Sequence, residues 1–139
     1  MTTVRAVRGA IQVEHDEPEA LLADTAALVA EVLSRNRVRG SDEIISILFT
    51  MTPDLRAGFP AAAVRRLGLA DVPVMCATEL AVPDALPRVV RLLAHIHTDL
   101  AQSEVAHVYL RGAVALRPDL AARAADDERK RAHGHRDVA

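Results

Sequence analysis

Residues 84–97, DALPRVVRLLAHIH, decide the architecture of this chain because they fit two periods at once. As a helix, Asp84 and Pro87 would start it, and Leu86, Val89, Val90 and Leu93 would form its buried stripe. As a strand, Val90, Leu92, Ala94 and Ile96 would share one face, and Val89, Arg91 and Leu93 the other. Periodicity slightly favours the helix. The strand has a chemical consequence, however. It flanks Arg91 with Val89 and Leu93, a costly place for a permanent charge unless something anionic meets it. That anion could be Glu79 or another carboxylate, a group across a subunit interface, or a ligand.

The flanking segments are easier to read. VRAVRGAIQVE (4–14) alternates as a strand, with Val7, Ile11 and Val13 on one face and Val4, Ala6, Arg8, Ala10 and Gln12 on the other. Arg8 therefore projects from a face of small side chains. Asp16 and Glu19 resemble a capping box, Pro18 suits a first turn, and a helix runs to about Asn36. Its buried stripe is Leu21, Leu22, Leu28, Val29, Val32 and Leu33. Ile44 to Met51 is apolar on both faces, as in a central strand. Phe59-Pro60 opens a short helix that Gly68 ends. Val72 to Cys76 reads as a brief strand, and His107 to Leu110 as another with Tyr109 opposite Val108 and Leu110. The segment 121–139 has nothing to bury and reads as a disordered tail, leaving 1–120 as the folded domain.

At 139 residues and 15.0 kDa the chain is long enough for one domain with a substantial core. Half the residues are hydrophobic, yet the aromatics are only Phe49, Phe59 and Tyr109, so Ala, Val, Leu and Ile must build that core. A net charge of −2 gives nucleic-acid binding no electrostatic support. Cys76 is the sole cysteine, which excludes an internal disulfide or a CxxC pair. No apolar run reaches the ~18 residues of a membrane span, and the N-terminus lacks a signal-peptide pattern. A cytoplasmic protein without membrane association is expected. His95 and His97 would share a strand face, but no third ligand stands at a useful spacing, so no metal is expected. Residues 1–120 hold twelve arginines and no lysine. That suits bidentate recognition of carboxylates, but a GC-rich genome would give the same count, so position has to decide.

Four segments supply position: VRAVRGAIQVE (4–14); TPDLRAGFPAAAVR (52–65); VPVMCATEL (72–80) with PRVVRLL (87–93); and HVYLRGAVALRPDL (107–120). In this order and spacing the chain resembles the monofunctional, trimeric type of chorismate mutase over residues 4–120. The resemblance implies an α/β (α+β) single domain, a mixed sheet with helices on one side. Three copies would form a pseudo-α/β-barrel with sites in the clefts between subunits. It also makes 84–97 a strand.

Carried over residue by residue, Arg91 matches the family arginine that contacts the substrate's ether oxygen. Arg8 and Tyr109 match residues that bind substrate carboxylate. Glu79 and Cys76 match groups that meet the ring hydroxyl, one through its carboxylate and one through nearby thiol and backbone. Phe59, Ala61 and Arg65 match residues from the adjacent subunit, Val74 and Met75 join the substrate-binding set, and Leu116 and Arg117 match the segment that closes over the site. Without the resemblance these residues have plainer readings. Arg8 is a surface strand arginine, Tyr109 an interface tyrosine, Glu79 a solvated loop carboxylate, Cys76 a small buried hydrophobe, Arg65 an exposed helix residue and Leu116 core. Ala62 stands where some relatives have lysine, and Met75 where a threonine can occur, which bears on affinity and substrate entry.

The implied reaction turns chorismate into prephenate by a unimolecular rearrangement. One carbon–oxygen bond breaks while a carbon–carbon bond forms, with no nucleophile, proton transfer, metal or cofactor. A protein can contribute a compact conformer of a floppy dianion and positive charge at the ether oxygen. Two alternatives remain on sequence grounds. An imine deaminase of the same trimeric fold would show a glycine- and serine-rich signature, which is not found. A non-catalytic trimeric binding protein would have little reason to keep Arg8, Glu79, Arg91 and Tyr109 together.

Overall fold

The ambiguous stretch divides at Arg88. In the computed structural model, which describes residues 2–117 and Arg129, residues 84–88 form an irregular turn and Val89–Thr98 is a strand. Asp84 and Arg88 take left-handed backbone angles, with φ of 64° and 53°, so no helix can pass through them. The Arg88 N–H donates to Asp54 Oδ2 at 2.9 Å and its Nε to the Val13 carbonyl at 3.0 Å, which fixes the turn. Pairing on both sides of the following segment settles what the hydrophobic period left open.

Along the chain the elements are β1 (Thr3–Gln12), α1 (Pro18–Arg35), β2 (Ile44–Met51), α2 (Ala62–Arg66), β3 (Val74–Thr78), β4 (Val89–Thr98) and β5 (Val108–Leu110). The five strands form one mixed sheet in the order β3-β2-β4-β1-β5. β4 is antiparallel to β1 and β2, while β2–β3 and β1–β5 are parallel. The centre of the sheet is thus β4, and β2 is one place out from it. Both parallel pairs have an α-helix in their connection, as parallel neighbours require a crossover.

Helix α1 covers one face. Leu21, Leu28, Val29 and Val32 pack with Val7, Ile11, Phe49, Leu92 and Ile96 in a single cluster. It approaches the sheet closely at Gly9, where an added Cβ would lie 3.1 Å from Val32 Cγ2 and 3.2 Å from Leu28 Cδ1. Among the described residues the other face carries no α-helix. A 3-10 segment, Arg111–Leu116, turns over one end of it and packs Ala113 against Ala10 and Val89. Elsewhere that face leaves Val4, Leu48 and Met75 exposed among the described residues, so there one side of β2 is less covered than the side facing α1.

The capping box does not form. The helix N-cap is Glu17, without a side-chain cap. Asp16 instead accepts the backbone N–H groups of Arg56 and Ala57, each at 3.0 Å, and Glu19 pairs with Arg66 at 2.6 Å. These long-range donors satisfy both carboxylates better than the helix end does. Pro60 and Gly68 do bracket the short helix, and Gly68 has φ 77° as a C-terminal glycine should. Among the described residues no helix is long and apolar enough to cross a membrane. The tail, 121–139, lies outside the described residues except for Arg129.

Candidate active site

Strand register assembles the site. Ala10 pairs with Tyr109 on one side and Arg91 on the other; Arg91 pairs with Thr50, and Thr50 with Ala77. One row of side chains therefore crosses all five strands on the face opposite α1: Tyr109, Ala10, Arg91, Thr50, Ala77. Alanines at two of those positions leave space beside the guanidinium and the phenol. Arg8 stands two residues along β1 on the same face, and Leu93, Leu48 and Met75 continue its row.

Glu79 is drawn into this row from just beyond β3. Its N–H donates to the Met51 carbonyl at 2.8 Å, extending the β2–β3 ladder by one bond. The carboxylate accepts the Thr50 hydroxyl at 2.7 Å and lies 2.8 Å from Arg91 Nε. With a side chain 15% exposed, Glu79 is not a solvated loop carboxylate. The Arg91 Nε–H does not point along the ion-pair contact. Among the described residues it and the Tyr109 hydroxyl are buried polar groups with no hydrogen-bond partner. Both lie on the same row, where their hydrogen-bonding capacity is not used by the described residues.

The C-terminal segment closes the end of the row. Leu116 packs beside Tyr109 in the small cluster around Ala10, Val89 and Ala113. The Arg117 guanidinium sits 5.7 Å from the centre of the Tyr109 ring, within cation–π range. His107, one step before β5, accepts the Arg8 N–H on Nδ1 at 3.0 Å. Its pKa is lowered by burial first and then by the charges of Arg117 and Arg8. It is thus a neutral strut with its proton on Nε2, tying the strand that carries Arg8 to the one that carries Tyr109.

The remaining sequence candidates stand elsewhere. Phe59, Ala61, Arg65 and Val74, with Ala62, line a cavity of about 230 Å³ at the edge formed by β3 and α2. Phe59 is 75% exposed there. Cys76 pairs with Phe49, and Phe49 with Leu92, so its thiol lies in the row that faces α1, packed against the main core. Met75 is on the face of Arg91 but one row away and 70% exposed. The chain brings Arg8, Glu79, Arg91, Tyr109, Leu116 and Arg117 together; it does not bring Phe59, Ala61, Arg65 or Val74 to them.

Sequence reasoning missed Thr50 and His107. A threonine inside the apolar run of β2, and a histidine two residues before Tyr109, were the signals available. Neither could be interpreted without the register. As assembled, the row offers cationic and neutral donors on a small-residue floor. It can bind and orient a compact anion and stabilise negative charge developing near Arg91.

The family model for chorismate mutase type I matches residues 4–120. A chorismate mutase, AroH, of Thermus thermophilus is 49% identical over 117 residues, covering 84% of this chain and 96% of that protein. Its counterpart in Bacillus subtilis is 41% identical over 118 residues, covering 84% and 92%. Among solved structures, a chorismate mutase from Clostridium thermocellum superposes with a TM-score of 0.78 at 39% identity, covering 80% of this chain and 98% of that one. The chain belongs to the type I chorismate mutase family.

Proposed function

We infer that this chain, a chorismate mutase, rearranges chorismate to prephenate on the row centred at Arg91. The observation that carries the assignment of the site is the Arg91 guanidinium, one-third exposed, set 2.8 Å from the Glu79 carboxylate on a floor of alanines. Arg91 donates to the ether oxygen as the carbon–oxygen bond breaks. Glu79, oriented by Thr50, accepts from the ring hydroxyl. Arg8 and the Tyr109 hydroxyl hold carboxylate, and Leu116 and Arg117 close the mouth and exclude water. None of these groups has to gain or lose a proton during the reaction, and the lowered pKa of His107 keeps that neighbour neutral at ordinary pH.

The neighbouring subunit completes the site. The β3-edge cavity lies up to four strands from β5, roughly 19 Å at the usual inter-strand spacing. Its lining residue Val74 faces α1, the side opposite Arg91. No small ligand can touch Phe59, Arg65 and Tyr109 of the same chain. A second copy can bring its own Phe59, Ala61, Arg65 and Val74 to this row while covering the exposed Leu48 and Met75. A homotrimer with sites in its clefts satisfies both demands, and the cytoplasm is its proposed place of work. Following chorismate absorbance with purified protein tests the assignment: its loss with stoichiometric appearance of prephenate is expected, and an unchanged trace from a folded trimer contradicts it.

A further inference from the structure

A charged contact remote from the substrate row ties the C-terminal segment to helix α1. Arg111 Nη1 lies 2.6 Å from Asp24 Oδ2, joining residues 87 apart in the chain. Asp24 is 7% exposed on the buried side of α1, beside Leu21 and Leu28, and its Oδ2 also accepts the Glu14 N–H at 3.3 Å. A carboxylate there is costly unless it is partnered. Arg111 is the first residue of the 3-10 segment and has φ 55°, a left-handed angle that a non-glycine residue keeps only where its surroundings impose it. The next residue, Gly112, rests against Gln12, whose Oε1 takes the space an added Cβ would need. Gln12 is itself held by donation from Nε2 to the Pro87 carbonyl at 3.1 Å. From this double fastening the chain proceeds to Ala113, which is fully buried, then to Leu116 and to Arg117 over Tyr109.

We propose that Asp24 and Arg111 are positioning residues, a latch that sets the angle at which Leu116 and Arg117 leave β5 and so holds the closing segment over the substrate row. Neither residue touches substrate. The latch rests on the assignment of Leu116 and Arg117 as the closing segment. It adds that a helix on the opposite face of the sheet controls closure. Releasing it lets the segment sample open positions, which weakens ground-state and transition-state binding alike.

The chain contains one tyrosine and no tryptophan, so tyrosine emission reports Tyr109 alone. Asp24→Asn and Arg111→Gln should each raise KM for chorismate roughly five- to tenfold with kcat held within about twofold, and should increase acrylamide quenching of Tyr109. The double variant should be no worse than either single one, because the two changes remove one interaction. Arg111→Lys should recover part of the KM. If Asp24→Asn fails to fold, Arg111→Gln, at a side chain 47% exposed, carries the test by itself. Unchanged quenching in Arg111→Gln, or additive effects in the double variant, would overturn the latch. Arg117→Ala separates the two ideas. An unchanged KM there removes the closing-segment assignment, while quenching in the Asp24 and Arg111 variants still decides whether the pair positions the segment.

Discussion

Arg91→Ala is the perturbation whose size follows most directly from the geometry. Arg91 is at the centre of the row, with the uncharged Ala10 and Thr50 as its cross-strand neighbours. Losing a donor to a developing anion costs about 3–4 kcal/mol, or about 10²- to 10³-fold in kcat. A second effect falls on the free enzyme. Glu79, with 15% of its side chain exposed, would keep the Thr50 hydroxyl as its side-chain partner among the described residues. Its side of the pair is poorly solvated while Arg91 is one-third exposed, so the stability loss should be modest, on the order of 1–2 kcal/mol. Arg91→Ala with Glu79→Ala should recover that stability and none of the turnover. Arg91→Lys should recover turnover only in part, since an ammonium cannot present the fixed fork of a guanidinium. Initial rates from chorismate absorbance, with thermal melts on the same samples, separate the two effects. A kcat within about threefold of the parent in Arg91→Ala would refute the role given to this residue.

Other perturbations test the surroundings. Arg8→Ala should raise KM more than it lowers kcat, because a carboxylate contact acts in ground and transition state alike; the reverse split in steady-state kinetics would move Arg8 to the reacting bond. Gly9→Ala should destabilise the fold by ~1–3 kcal/mol in urea melts, since its Cβ would press on Val32 and Leu28; an unchanged midpoint would mean that α1 can shift freely. The lowered pKa of His107 also has a signed consequence. Between its ordinary value, near 6.5, and the lower folded value, the unfolded chain binds more protons, so stability must fall as pH drops through that window. Replacing His107 with Gln should flatten that acid limb. Turnover should stay nearly flat between about pH 6 and pH 8, without a solvent deuterium effect, because no proton moves in the chemical step. A bell-shaped profile abolished at His95, His97 or His107 would instead favour a proton-transferring enzyme.

Much of the fold is visible in local patterns. β1 alternates cleanly because one of its faces meets α1 while the other carries Arg8, and α1 shows its stripe because only one side is buried. Residues 84–97 defeat periodicity because β4 is the central strand, with one face in the core and the other under a partial cover of side chains. Apolar residues on both faces then imitate a helical stripe. Asp16 and Glu19 mislead for a related reason: short-range signals cannot reveal that Arg56, Ala57 and Arg66 lie nearby in space. Of the site, Arg91 could be suspected from the sequence by the cost of its apolar flanks. The contributions of Thr50 and His107, and the Asp24–Arg111 pair, depend on register and on contacts across most of the chain. Resemblance to a family named most of the candidate positions, but not the face on which each side chain stands. Cys76 illustrates the difference, since its thiol turns toward α1.

The proposed site needs the substrate row of one chain and the β3-edge residues of another. Subunit complementation tests it most directly. Arg91→Ala and Arg65→Ala are each purified, mixed in equal amounts, dissociated and reassembled, with exchange verified by native mass spectrometry. In a cyclic trimer, random mixing gives about one cleft in four with both native arginines, so turnover should recover to about a quarter of the parent's. No recovery despite verified exchange would contradict the account and confine the site to a single chain.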